Sequence, residues 1–315
     1  FFVNMNFSFA GCGFLGIYHV GVASCLRQHA PQLVENGIFA GASAGAIVSC
    51  SMIKGECTSF TLRLATKARS RSLGPLHPSF NLVKILRDAL NKVLPENAHQ
   101  IASGKLFISL TRVSDRQPVL VSQFDSKEEL IQALLCSAHV PFYSGLLPPS
   151  FRGTRYVDGG LSDNLPILNE NTVTVSPFAG ESDICPTDNV ASFAYVHLAN
   201  TSLQMSGKNL YRLTRTLFPC KPEILSDMCK QGFDDCLKFL QRNGKITMAW
   251  ETIGCHVNQN KSTFIRNCLH LSVGSQSFSF SEPCVYDLMR FISCVCSIQT
   301  EIWYHDSGTL DSITN

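Results

Sequence analysis

The run Ile38-Phe39-Ala40-Gly41-Ala42-Ser43-Ala44-Gly45-Ala46-Ile47-Val48 constrains the fold more than any other stretch. Apolar residues enter it and leave it, and small residues fill its middle. The pattern reads as a strand, a sharp turn and a helix, with Ser43 at the apex of a G-x-S-x-G turn. Side chains two residues either side of the serine would collide in so tight a turn. Gly41 and Gly45 remove them, while Ala42 and Ala44 keep the neighbours small. The serine hydroxyl then stands clear of the sheet edge at a helix N-terminus, where the dipole favours negative charge. A small-residue turn into a buried helix fits the same residues, so the reading depends on what accompanies it.

Upstream, Val3 to Ala10 ends in the alternating Phe7-Ser8-Phe9-Ala10, a first strand. Gly11-Cys12-Gly13-Phe14-Leu15-Gly16 follows and leads into a helical pattern from Ile17 to His29. Strand, glycine loop and helix form a layout that cradles anions, because backbone N–H groups and a helix N-terminus point at one spot. A dinucleotide fingerprint would need an acid at the end of the second strand. That strand, Ile38 to Ala40, runs into the serine turn instead, and Glu35 precedes it. The alternative is an oxyanion hole, whose donors stabilise the alkoxide that develops in acyl transfer from a serine. Gly13 and Phe14 are then the expected donors, with Gly11 and Gly16 as shape residues.

Further along, Lys105 to Val113 and Gln117 to Phe124 read as β segments. Ser126 to Glu129 is a capping box that opens a helix from Lys127 to Ala138. A short strand, Arg155 to Val157, ends in Asp158-Gly159-Gly160. A carboxylate at a strand end with open backbone around it sits where α/β sheets keep their sites. Asp-Gly is also a common turn pair. Asp163-Asn164-Leu165-Pro166 reads as turn and helix-entry chemistry. Thr172 to Val175 and Phe193 to Ala199 read as strands, and Leu203 to Leu217 and Glu223 to Leu240 as helices. Two stretches are basic and helical. In Ser59 to Ser72, Arg63, Lys67 and Arg71 share one face. In Leu203 to Leu217, Lys208, Arg212 and Arg215 oppose Leu203, Leu210, Leu213 and Leu217. A solvated face, or for the second a membrane-surface helix, fits that pattern.

Composition excludes some classes. Against 26 basic residues stand 24 acidic ones, so no global field attracts nucleic acid. The 14 cysteines form no C-x-x-C pair and no cluster at zinc spacing, and Cys25, Cys50 and Cys136 lie in apolar runs. Free thiols in a reducing, intracellular compartment are expected. No run is long and apolar enough to span a bilayer, and Leu288 to Ile298 falls short. The periodic pattern fades after about Ile246, which divides the chain into a domain over residues 4–244 and a tail over 245–315.

The glycine loop, the serine turn and Asp158-Gly159-Gly160, in that order, resemble the patatin-like phospholipase family. Longer runs are similar to its animal branch, which contains adipose-type triacylglycerol lipases. They are Ser8 to Gly16, Gly74-Pro75-Leu76-His77-Pro78-Ser79-Phe80-Asn81-Leu82, Ser109-Leu110-Thr111-Arg112-Val113-Ser114-Asp115 and Arg155 to Gly160. The resemblance implies a three-layer α/β/α fold with a mostly parallel central sheet. It implies hydrolysis of acyl esters in lipids by a Ser-Asp dyad: Ser43 as nucleophile, Asp158 as base, and Gly11 to Gly16 as oxyanion hole. Where the wider family often carries a second glycine and a basic residue in that loop, this chain has Cys12 and Leu15. That departure suits a neutral substrate such as triacylglycerol.

The same resemblance implies no metal or nucleotide cofactor. Its expected partners are an acyl lipid, a lipid droplet or membrane surface such as the endoplasmic reticulum, and a protein co-activator. Two rivals remain at this point. His197 could complete a Ser-Asp-His triad. Alternatively, the chain could be a lipid-binding or regulatory protein on the same fold.

Overall fold

A computed structural model describes residues 5–53, 81–188, 194–218 and 220–244. The basic stretch 59–72, most of the run 74–82, the tail 245–315 and its apolar piece 288–298 therefore lie outside the described residues, as does the second of the two expected regions.

The elements follow in chain order. Strand β1 (Asn6–Phe9) leads through a short 3-10 turn to α1 (Gly16–His29) and α2 (Pro31–Asn36). Then come β2 (Ile38–Ala42), α3 (Ala44–Met52), α4 (Leu82–Val93) and α5 (Ala98–Ala102). Next are β3 (Leu106–Arg112), β4 (Pro118–Val121), α6 (Lys127–Ser137), β5 (Ser150–Phe151) and β6 (Thr154–Asp158). The last elements are β7 (Thr172–Val175), β8 (Tyr195–Leu198), β9 (Thr201–Gln204), α7 (Gly207–Leu217) and α8 (Pro222–Arg242).

The central sheet follows the hydrogen-bonded path β5-β6-β3-β2-β1-β7, with β4 also paired to β3. Strands β7, β1, β2 and β3 are parallel, and β4, β5 and β6 join antiparallel. Every residue of β1 is buried, as expected of a parallel strand covered on both faces. Helix α1 is buried along ten of its 14 residues. It packs on α8 at backbone contact: a Cβ on Gly21 would lie 1.9 Å from the Cys229 carbonyl oxygen. None of the eight described cysteines is in a disulfide, and all but Cys185 are buried.

The capping box starts α6 as expected. The Glu129 N–H donates to Ser126 Oγ at 3.1 Å, while the Glu129 carboxylate accepts the Asp125 N–H at 2.6 Å. One expected helix is corrected. The stretch from Leu203 is not helical at its start, because Thr201–Gln204 pairs antiparallel with β8 in a separate two-stranded sheet. Ala199 and Asn200 both have positive φ (46° and 62°), which matches a tight hairpin turn. The helix begins only after Ser206, whose Oγ accepts the Asn209 N–H at 2.9 Å. The opposed stripes of that helix are also corrected. Leu210 is exposed. Arg212 turns inward and donates to both oxygens of the Asp188 carboxylate at 2.8 and 2.9 Å.

Candidate active site

Register brings the glycine loop and the serine turn together. Strand β1 pairs with β2 so that Phe9 faces Gly41. The two strands thus end level, and their connections leave the sheet side by side. β1 also has β7 on its other edge, so the chain after it leaves at a point where the strand order diverges, the usual place for a site in an α/β sheet.

At the turn itself, Ser43 has φ 52° and ψ −123°, a conformation that costs a non-glycine residue roughly 1–3 kcal/mol. The glycines either side are required by close approach. A Cβ on Gly45 would sit 2.0 Å from the Phe9 carbonyl oxygen, and one on Gly41 2.7 Å from both that oxygen and the Gly45 carbonyl carbon. Ala42 ends β2, and Ala44 opens α3 with its Cβ against Gly16. The strain at Ser43 is held by Ser137, fully buried at the end of α6. Its Oγ accepts the Ser43 N–H at 2.8 Å and donates to the Ser109 carbonyl at 2.7 Å.

Asp158 arrives from the opposite direction. Ile108 and Ser109 of β3 pair with both β2 and β4, and Leu110 and Thr111 pair with both β4 and β6. A strand residue has one neighbour on each edge, so β2 and β6 share the edge opposite β4. They run towards each other along it, with Ala42 facing Ser109 and Asp158 facing Leu110. Ser43, one residue past Ala42, and Asp158 are thus brought together by consecutive positions of one strand. The Asp158 backbone is fixed on both sides: its N–H donates to the His139 carbonyl at 2.9 Å and its carbonyl accepts the Thr111 hydroxyl at 2.7 Å. Gly159 is needed beside it, since a Cβ there would lie 2.1 Å from the Ser109 carbonyl oxygen. The Gly160 N–H donates to Asp158 Oδ1 at 2.8 Å, and the Ser43 hydroxyl hydrogen-bonds the carboxylate.

Burial pushes the Asp158 carboxyl up to about 6, against the opposing pull of Ser43 and Gly160. Burial, and then the charge of Asp158, also hold the Cys12 thiol well above its usual range, so it stays neutral. Cys12 and Leu15 are buried with Phe178 in a small apolar cluster, against which Ala44 packs.

The glycine loop is oriented by donors it does not offer to a ligand. The Gly11 N–H donates to Asn164 Oδ1 at 2.9 Å, the Leu15 N–H to the Cys12 carbonyl at 3.1 Å and the Gly16 N–H to the Gly13 carbonyl. No acceptor among the described residues takes the N–H groups of Gly13 and Phe14. Gly13 has φ 55°, and a Cβ there would lie 2.0 Å from the Thr216 carbonyl oxygen, so α7 seats directly on this turn.

Asn164, given only turn chemistry by the sequence, is the link between the loops. Besides accepting from Gly11 it donates to Thr201 Oγ1 at 3.0 Å. It lies six residues past Asp158 in sequence, and its Oδ1 would be 2.7 Å from a Cβ on Gly160. Ser137 likewise carries no signal in the sequence, where it reads as the last polar residue of a helix. His197 does not join the site. Its side chain is 69% exposed on β8 and lies 3.5 Å from the Glu181 carboxylate.

The profile of the family described as patatin-like phospholipase matches residues 7–169, more than half of the chain. The chain belongs to the patatin-like phospholipase family. Patatin-like phospholipase domain-containing protein 2 of Homo sapiens is 58% identical over 245 residues, covering 76% of this chain and 49% of that protein. The Homo sapiens protein named 1-acylglycerol-3-phosphate O-acyltransferase PNPLA3 is 51% identical over 245 residues, with 76% and 51% covered. Patatin-like phospholipase domain-containing protein 5 of Homo sapiens is 42% identical over 246 residues, with 76% and 57% covered. This patatin-like chain thus spans about half the length of the curated relatives it matches. Among solved structures, VipD from Legionella pneumophila aligns with a TM-score of 0.37 and 12% identity over 76% of this chain and 67% of that chain, a likeness too slight to bear on the site.

Proposed function

We propose that this chain is a lipid acyl hydrolase that releases fatty acid from neutral lipid through Ser43 and Asp158. The observation that carries the reading is the strained serine whose hydroxyl meets a buried carboxyl with a pKa raised to about 6, beside loop N–H groups that find no acceptor among the described residues. An ordinary aspartate is a weak base for a serine hydroxyl, and a raised pKa brings it closer to the working pH.

In the forward step Ser43 Oγ attacks the ester carbonyl and its proton passes to Asp158. The oxyanion is held by the N–H groups of Gly13 and Phe14. Collapse expels the alcohol, which takes the proton back from Asp158. Water then attacks the acyl-enzyme with Asp158 again accepting a proton, and as the acyl–oxygen bond breaks Asp158 returns that proton to Ser43 Oγ and fatty acid leaves. No positively charged side chain is assigned to the loop, in keeping with an uncharged ester. The reaction takes place at a droplet or membrane surface, with a protein co-activator as a further partner. No described helix is long and apolar enough to cross a membrane.

The name of the acyltransferase relative favours a second outcome for the same intermediate. An alcohol acceptor replaces water and receives the acyl group. The test is release of fatty acid from emulsified triolein and from phosphatidylcholine by the wild type, Ser43→Ala and Asp158→Asn, with and without 1-acylglycerol 3-phosphate. Loss in both variants supports the dyad, and the better emulsion names the substrate. A shift from free acid to acylated acceptor supports transfer. An inactive but folded wild type that still binds lipid would replace catalysis with a binding role.

A further inference from the structure

The connection between α6 and β5 stands apart in its chemistry. From Leu130 to Phe151 there is no Asp, Glu, Lys or Arg. Within it, Phe142, Leu146 and Leu147 are 58%, 78% and 77% exposed. Three large apolar side chains facing water within six residues exceed what scattered surface hydrophobics require. Phe142 also has φ 65°, a costly conformation for a bulky residue, and burial does not offset it. Backbone strain of this kind gathers where function demands it.

The loop is fixed rather than slack. The Ser144 N–H donates to the Val140 carbonyl at 2.8 Å, and the Val140 N–H to Ser144 Oγ at 3.2 Å. The Phe142 N–H donates to the Gly145 carbonyl at 3.1 Å, and the Tyr143 hydroxyl to the Leu217 carbonyl at 2.7 Å. Pro141, Pro148 and Pro149 have no N–H to satisfy. A protein partner usually finds hydrogen-bonding groups at an interface. Here the loop's two polar side chains, Tyr143 and Ser144, are both engaged within the chain, so the side chains it presents outward are hydrocarbon.

The loop is also continuous with the dyad. Ser137, which holds the Ser43 N–H, and His139, which accepts the Asp158 N–H, immediately precede it.

We infer that residues 141–147 form a wedge that inserts Phe142, Leu146 and Leu147 into the acyl-chain layer of a lipid surface and so brings the dyad to its substrate. The inference rests on the lipid hydrolase reading for what the wedge delivers, but its binding step is measured separately.

The experiment uses the full chain and the double variant Leu146→Asp/Leu147→Asp. It measures flotation with phosphatidylcholine vesicles, hydrolysis of emulsified triolein, and hydrolysis of the soluble ester p-nitrophenyl butyrate. Because membrane affinity scales with buried apolar area, vesicle binding and emulsion rate are expected to fall by about tenfold or more, while the soluble-ester rate stays within about twofold. A variant that floats and digests emulsion as the wild type does overturns the wedge and leaves the loop as a protein-docking surface. If the double variant loses soluble-ester activity as well, Leu146→Trp decides. Blue-shifted emission on vesicles and quenching by brominated acyl chains support insertion, and an unshifted spectrum overturns it. A wild type that binds vesicles through this loop but cleaves neither ester would sink the hydrolase reading and leave the wedge standing. Cleavage of the soluble ester without vesicle binding would do the reverse.

Discussion

The backbone N–H of Ser43 is held by the side chain of Ser137, at 2.8 Å, although 94 residues separate them in sequence. That hydroxyl donates its own hydrogen bond to the Ser109 carbonyl, so both its bonds lie in the buried interior. Ser137→Ala would leave the Ser43 N–H and the Ser109 carbonyl each short of a partner, at a cost of roughly 1–3 kcal/mol. The strained turn would relax and the hydroxyl would lose its aim. The expected result is a lowered melting temperature together with a fall in kcat of about tenfold or more, at little change in KM. A destabilised variant whose kcat is unchanged at a temperature where it is fully folded would deny Ser137 any part in aiming the nucleophile.

Asp158 should make stability and activity move in opposite directions with pH. Its folded-state pKa of about 6 lies above the ordinary carboxylate value, so the folded protein binds its proton more tightly than the unfolded chain does. Stability from this group is present below about pH 4 and is lost as pH rises through about 6. Asp158→Asn is therefore expected to stabilise the protein at neutral pH by an amount on the order of 3 kcal/mol, with the gain disappearing below about pH 4. Denaturant melts at several pH values measure it. Over the same range kcat/KM of the wild type should rise with an apparent pKa near 6. A flat profile from pH 5 to pH 8 would count against Asp158 as the base.

Two glycines give a contrast with opposite signs. Gly13→Ala places a Cβ 2.0 Å from the Thr216 carbonyl oxygen at a φ of 55°. It should cost at least roughly 1–3 kcal/mol and displace the donor loop, lowering kcat by about a hundredfold. Gly207, at the first turn of α7, is open: a Cβ there would meet nothing within 4 Å. Gly207→Ala should stabilise the protein by about 0.4–1 kcal/mol and leave kcat alone. Thermal melts and ester turnover on the pair read both effects.

Asn164 bridges Gly11 and Thr201, and its two bonds can be removed separately. Thr201→Val removes only the outer one, at a cost of about 0.5–1.5 kcal/mol. Asn164→Leu removes both and leaves the Gly11 N–H only its longer bond, 3.4 Å, to the backbone carbonyl of residue 164. It should reduce kcat several-fold further than Thr201→Val does, because the glycine loop loses the shorter of its two ties to the segment that carries Asp158. Equal kcat values in the two variants would reduce Asn164 to a packing residue.

Much of this architecture is legible in the sequence because it is local. The serine turn announces itself through Gly41 and Gly45, whose spacing about Ser43 is a local pattern even though the backbone they make room for includes Phe9 of the neighbouring strand. Ser126 and Glu129 mark the start of α6 for the same reason. Thr172 to Val175, β-branched throughout, is a strand to its end residues. What the sequence hides is pairing at long range. Ser137 looks like any polar residue at a helix end until α6 is laid against β3. Asn164 looks like a turn residue until it meets a loop 153 positions away. Arg212 fits a solvated stripe until Asp188 is placed under it. The leucine spacing from Leu203 onward mimics a helix, but the Ala199-Asn200 turn and the partner strand β8 outweigh that periodicity.

The shared edge of β3 has a consequence for how such chains diverge. The separation of Ser43 and Asp158 is set by two adjacent backbone positions, Ser109 and Leu110, in the middle of a sheet. It does not depend on the length of any connection. Insertions between α3 and β3, or between α6 and β5, can thus be accepted or discarded over evolutionary time without retuning the distance between the serine and the carboxylate. The sheet fixes that pair, and the loops around it are free to drift.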